Sequence, residues 1–302
     1  MSVLDHPIAF TVPRRLSPVA NWQEHTPFAM YLVSALRPQR VVELGTHYGD
    51  SYCAFCQAVA ELHLQTTCFA VDTWEGDDHA GNYGPEVLDD LRGHHDPLYG
   101  GFSELIRSTF DDASPRFEAG SIDLLHIDGL HTYDAVRHDF EEWSSKMSRR
   151  GIVLLHDSAR HVDGFGVWRL VEELSERHPT FEFAHGNGLA LVLLGDDVPQ
   201  ELVALTELDE RGAASVRALF AALGAGVRRA GALQRSAVEA HRQREQRERD
   251  ERAVERERAL EHRLAEHEQL VEDRLKRVEE IAAELASSRL LRMARRVRIG
   301  SR

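Results

Sequence analysis

The sequence predicts an α/β fold, a doubly wound and mostly parallel sheet, followed by a C-terminal helical extension with coiled-coil character. Three observations carry this. Short apolar runs that close on acidic residues alternate with stretches of helical periodicity. Because these runs lack polar alternation, they suit strands covered on both faces. A turn bearing Gly45 and Gly49 stands between the first run and the helix after it, and beyond Ala232 the chain turns rich in Glu and Arg at four-residue spacing.

Thr26-Pro27 opens the first helix, with threonine as cap and proline at its first position. Phe28, Ala29, Tyr31, Leu32 and Leu36 continue it, and it stops before Pro38. The run RVVELG is the first strand, and a helix over 51–63 follows Gly49. The runs 68–71, 122–127 and 151–155 end in Asp72, Asp128 and His156-Asp157, with helices over 133–143 and 167–177 between the later ones. The segments 181–184 and 189–194, joined by His185-Gly186-Asn187-Gly188, read as a closing pair of strands on a tight turn. The sheet therefore ends near Gly195.

This gives an N-terminal segment 1–25, an α/β domain 26–195, a helical linker 196–232, a long helix 233–291 and a basic tail 292–302. Leu264, Val271, Val278 and Leu285 recur every seven residues, with Leu275 and Ala282 on the neighbouring seam, as in a short coiled coil. A homo-oligomer or a partner protein could sit on that seam, and a long single helix is the competing reading. Arg289, Arg292, Arg295, Arg296, Arg298 and Arg302, with Leu290, Met293 and Val297 on one face, could meet an anionic membrane surface or simply end a charged helix.

A formal net charge of −14 argues against nucleic acid as partner. Three cysteines without an apolar leader segment predict a reduced, cytoplasmic protein. Cys53 and Cys56 have C-x-x-C spacing, but they fall inside a predicted helix without a second ligand pair, so they read as structural.

The chemistry concentrates at strand ends. Dinucleotide folds carry G-x-G-x-x-G after the first strand, whereas this chain has G-x-x-x-G preceded by Glu43. An acid there would repel a pyrophosphate yet accept hydrogen bonds from an amino group, which favours S-adenosylmethionine over a nicotinamide and disfavours an oxidoreductase. The glycines are expected to let backbone pass close to the ligand. Asp72 has the placement of a carboxylate that binds ribose hydroxyls, and Asp128 and Asp157 stand where open parallel sheets bind ligands.

The blocks ELGTHYGDS, VDTWEGDDHAGNYG, HIDGLHTYDAVRHDFEEW and GIVLLHDS resemble the class I methyltransferases related to catechol and macrolide-sugar O-methyltransferases, especially members associated with polysaccharide gene clusters. The resemblance spans residues 28–195 and implies a seven-stranded sheet with a reversed last strand. It implies that the cofactor lies against Glu43, Gly45, Thr46, Gly49 and Ser51, with Asp72 and Thr73 at the ribose, Trp74 near the adenine and Asp128 alongside. In that family the positions of Asp128, His156 and Asp157 can hold a divalent metal, Mg or Mn. His156 departs from the catechol enzyme's oxygen ligands, and imidazole suits manganese better than magnesium.

Methyl transfer to a hydroxyl needs a base. His131 is the first candidate and His156 the second, each beside Asp128, with a structural histidine as the alternative for both. The long stretch 75–101 reads as a lid or substrate wall, with His79, Tyr83 and Tyr99 as candidate acceptor contacts. Together these features predict O-methylation of a sugar or glycan hydroxyl on a small-molecule or glycan acceptor in surface-polysaccharide or glycosylated natural-product biosynthesis. The alternative is a catalytically idle methyltransferase fold whose coiled coil recruits a glycosyltransferase.

Overall fold

The computed structural model describes residues 3–77, 81–287 and 292, and the chain divides into two compact units, Met1–Arg235 and Ser236–Arg302. His79 and most of the basic tail lie outside the described residues.

In the first unit, short 3-10 turns at Val3–Asp5, Pro7–Phe10 and Gln23–His25 lead into α1 (Thr26–Leu36). Helix α1 ends where Arg37 adopts a left-handed conformation ahead of Pro38, which cannot continue a helix. Then come β1 (Arg40–Leu44), α2 (Asp50–Glu61), β2 (Thr67–Asp72), the two-residue strands β3 (Gly76–Asp77) and β4 (Gly81–Asn82), α3 (Pro85–Tyr99), β5 (Ser103–Arg107) and α4 (Phe110–Ala113). The second half supplies β6 (Ile122–Ile127), α5 (Tyr133–Ser144), β7 (Met147–His156), α6 (Val167–Ser175), β8 (Thr180–Phe183), β9 (Leu189–Leu193) and α7 (Gln200–Thr206). Helix α8 (Glu210–Ser287) runs from the first unit into the second.

The seven-stranded sheet has the order β5-β2-β1-β6-β7-β9-β8; β9 alone runs against its neighbours and every other pairing is parallel. The order reverses direction at β1, and the crevice above β1 and β6 is where an open sheet binds ligands. Successive strand residues enter opposite apolar layers: Val41, Leu124 and Leu154 join the one containing Phe28, Phe55 and Phe183, while Val42, Leu125 and Val153 join the one containing Trp143. Both faces are buried, which is why the runs are apolar throughout.

Three elements depart from the sequence expectation. Strand β5 was not anticipated, because an edge strand covered on one face alternates, and Ser-Glu-Leu-Ile-Arg buries Ile106 alone. The stretch 75–101 is not one long loop: more than half of it is α3, which buries Val87, Leu88, Leu91, His95 and Tyr99. Tyr99, 1% exposed, is thereby removed from the candidate acceptor contacts. Strand β7 begins four residues before Gly151, at Met147, which pairs with Ile122 ahead of the polar residues Ser148, Arg149 and Arg150.

Cys53 and Cys56 are buried on α2, and burial pushes both thiols well above the ordinary cysteine value. Such thiols stay protonated and behave as small apolar groups. No described helix is long and apolar enough to cross a membrane.

Candidate active site

At the carboxyl ends of β1, β2, β6 and β7 lies a cavity of about 470 Å³. Its walls include Gly45, Thr46, Gly49, Ser51, Asp72 and Thr73 on one side and Asp128, His131, His156 and Asp157 on the other. Sequence positions up to 112 residues apart meet because parallel strands deliver their ends to one edge.

The glycine turn has a packing reason in addition to the one expected. A Cβ on Gly45 would lie 2.2 Å from the backbone oxygen of Asp128, and one on Gly49 2.6 Å from Leu91. Both have positive φ, +85° and +77°. The missing side chains thus let the turn pack on the β6 loop and on α3. Gly49 is also the N-cap of α2 and brings no side-chain cap, so the first-turn N–H groups of α2 lack that partner beside the cavity. Such a helix start favours an anionic group.

Asp72 organises the turn. One of its oxygens accepts from the backbone N–H groups of Thr46 (2.8 Å) and His47 (2.9 Å), the other from that of Trp74 (2.7 Å). A carboxylate offers about four acceptor positions, so three are engaged within the protein and one is left for a ligand hydroxyl. Trp74 is 1% exposed and is not among the cavity walls; its ring N–H donates to the His47 carbonyl (3.0 Å) and braces the same turn.

Glu43 also stands behind the wall. In the register of β1 and β6 it sits beside His126, whose Nδ1 is 2.8 Å from the Glu43 carboxylate. Trp22 donates its ring N–H to His126 Nε2 at 3.2 Å. An indole can only donate, so Nε2 must accept and the imidazole proton must be on Nδ1. His126 therefore donates from Nδ1 to Glu43. Burial pushes the Glu43 carboxyl up, against the hydrogen bonds from His126 and Ser51 that pull it down.

Trp22 lines the cavity together with Val19 and Asn21, so the N-terminal segment forms part of the site. Nothing in the sequence marks these residues, because their role comes from contacts over a hundred positions away. The segment is fastened by the Ser17 N–H, which donates to Asp50 at 2.9 Å, and by Gly224 of α8, packed on the backbone of Glu24.

Asp128, His131, His156 and Asp157 each bring one possible metal-ligand atom to a cluster whose atoms lie within 4.8 Å of one another. His131 Nε2 is 3.1 Å from carboxylate oxygens of both Asp128 and Asp157. His156 Nδ1 lies 3.0 Å from Asp128, and its Nε2 is 3.2 Å from the Gly186 carbonyl. A carbonyl accepts, so Nε2 carries a proton and Nδ1 faces the cluster, the orientation that backbone partners impose on ligating histidines. Burial opposes charge on His156, but the carboxylates of Asp128 and Asp157 raise its affinity for a proton overall. Burial likewise works against the Asp128 carboxylate, yet His156 and His131 hold it well below the usual range. Asp157 adopts a left-handed backbone, φ 58°, rare for a residue other than glycine.

The remaining walls are aromatic and polar. His131 stacks on Phe165 at 5.2 Å, and the Arg160 guanidinium stands 4.0 Å over the same ring. Tyr83 stacks on His47 at 4.7 Å and joins the wall.

The sequence profile of a methyltransferase domain matches residues 42–158, the segment holding Glu43, Asp72, Asp128 and His156. The uncharacterized protein y4gI of Sinorhizobium fredii is 46% identical over 205 residues, which cover 68% of this chain but only 22% of that relative's length. Among solved structures, the chain is similar to cofactor-bound Rv0187 from MTB, at 17% identity over 65% of this chain and 88% of that one, with a TM-score of 0.46. It is also similar to a Podospora anserina methyltransferase bound to SAH, at 15% identity over 56% and 77% of the two chains, with a TM-score of 0.44. The methyltransferase-domain match is confined to residues 42–158, and the strand order around them agrees with the fold that the sequence blocks imply.

Proposed function

We propose that this chain transfers a methyl group from S-adenosylmethionine to a hydroxyl oxygen of a sugar or glycan. One observation carries the reading: a single cavity joins the glycine turn and the α2 amino terminus to the cluster of two carboxylates and two imidazoles. The donor fits the first end. Uncapped N–H groups suit its carboxylate, Asp72 has an acceptor position for a ribose hydroxyl, and Thr46 Oγ1 is buried without a partner among the described residues. The volume lies within the range of cofactor pockets, about 300–1,000 Å³. Bound S-adenosylmethionine supplies a methyl group on a sulfonium, open to in-line attack.

The acceptor belongs at the second end. His131 is 15% exposed against 3% for His156, so it is the histidine placed to take the hydroxyl proton. Asp128 and Asp157 beside its Nε2 would stabilise the imidazolium that results. A divalent ion fits the same donors and would replace His131 as the means of activating the hydroxyl: Asp128, His131, His156 and Asp157 would hold it, Asp157 Oδ1 is buried without a hydrogen-bond partner among the described residues, and the ion would lower the acceptor's pKa so that its proton passes to solvent. The mixed imidazole and carboxylate set suits manganese or another transition ion better than magnesium. Asn21, Tyr83 and Thr109 offer hydrogen bonds to a polyhydroxylated acceptor, and Arg160 offers a cation to an acidic one. An idle fold kept for assembly has no observation in its favour.

The test is calorimetry with S-adenosylmethionine and S-adenosylhomocysteine, followed by mass spectrometry of hydroxylated sugars and glycans after incubation with methyl-labelled donor. Asp72→Ala is the control and should weaken donor binding at least about tenfold by releasing three backbone donors. Failure of the wild-type protein to bind either ligand sinks the proposal. Donor binding with label appearing on nitrogen or carbon acceptors alone overturns the hydroxyl assignment.

A further inference from the structure

Every residue of α8 from 236 to 287 is exposed. Leu260, Leu264, Val271, Val278, Ile281 and Leu285 are 44–63% exposed and fall on one stripe with a seven-residue repeat. A helix of this length gains most of its stability by burying such a stripe. With Leu264, Val271, Val278 and Leu285 in the first core position of the heptad, Leu260 and Ile281 take the second, shared with His267 and Arg274. In the same phase, upstream positions 236, 243, 250 and 257 are Ser, Gln, Asp and Glu, which confines the contact to residues 260–285.

We propose that this stripe is closed by a second copy of the chain in a parallel, in-register, two-stranded coiled coil. The flanking charges select this occupant. In a parallel pair each flanking residue meets the one five positions later on the other helix. Arg256 then faces Glu261 of the second copy, Arg263 faces Glu268, and Leu270 faces Leu275, each contact made twice. An antiparallel pair centred on Leu270 instead sets Arg263 against Arg277. His267 and Arg274 select two strands over three, because in a two-stranded coil their long side chains reach solvent past the core edge, whereas a third helix would close over them.

Sedimentation of the full chain at tens of micromolar should give twice the chain mass, and Leu264→Glu with Val271→Glu should give the monomer at an unchanged melting temperature of the α/β unit. Leu264→Cys and Val278→Cys, each alone, should form disulfide-linked dimers on mild oxidation, since Cys53, Cys56 and Cys68 are buried. Glu261→Arg with Glu268→Arg should weaken self-association at least about tenfold and restore it on mixing with Arg256→Glu, Arg263→Glu chains. A monomeric or trimeric wild-type chain overturns the proposal. So does cross-linking that occurs only when the two cysteine variants are mixed, the mark of an antiparallel pair.

Discussion

Gly45→Ala separates two reasons for a glycine that sequence patterns run together. The added methyl would stand 2.2 Å from the Asp128 carbonyl oxygen, below the 3.0 Å that real contacts keep, so the two loops must part by about 0.8 Å. Asp128 sits at the centre of the cluster, and its loop carries His131. A misplacement near 1 Å costs about a hundredfold in rate, so turnover should fall by about that factor. Stability should fall as well. The left-handed backbone at φ +85° costs a non-glycine residue about 1 kcal/mol, and the clash raises the total to about 2–4 kcal/mol, a melting drop of about 5–10 °C. Gly120→Ala is the matched control, with φ +71° and nothing within 4 Å of the added methyl. It should show only the backbone cost, about 2–4 °C, and full activity. Differential scanning calorimetry and a methyl-transfer assay on both variants decide the matter. Equal losses of stability and activity in the two would refute the argument, since the Asp128 contact would then have no consequence.

Two further outcomes test the site and its surroundings. His156→Gln and Asp128→Ala should each lower manganese affinity at least about tenfold in calorimetry, whereas His138→Gln, whose side chain is exposed on α5 and pairs with Asp111, should leave it unchanged; equal affinity in all three variants would remove the metal from this cluster. Asp139 on α5 is raised by burial, against the attraction of His138 and with help from Asp111, to about 7. Between the unfolded value near 4 and this one, the native state holds a proton that the unfolded chain has released. Stability should therefore fall as pH rises through that window and level off above it. Asp139→Asn should remove this slope and stabilise the protein at pH 8 by up to about 4 kcal/mol while changing little at pH 4. A variant whose melting temperature shifts equally at both pH values would show that Asp139 does not carry the effect.

The sequence alone determined the elements whose cause is local. Runs apolar on both faces marked β1, β2, β6, β7 and β9, acids at strand ends marked the edge where the cavity lies, and proline marked the start of α1, although His25 and not Thr26 is its N-cap and the Thr26 hydroxyl donates back to the Gln23 carbonyl. These signals survive without tertiary context because each arises from the period of one element or the backbone of one turn. Tertiary structure decided what depends on pairs distant in the chain. Strand β5 and α3 exist through pairing and packing that their polar sequences do not announce. Gly45 is glycine because the Asp128 backbone approaches it, and Asp72, expected to bind ribose hydroxyls, gives most of its acceptor positions to the turn. Glu43 faces His126, which Trp22 holds from its other side, rather than the cavity, an arrangement set by the register of β1 on β6 and the return of the N-terminal segment across the sheet edge. The sequence named Asp128, His131, His156 and Asp157 one by one; that their donor atoms converge within 4.8 Å follows from adjacent parallel strands delivering their ends to one point.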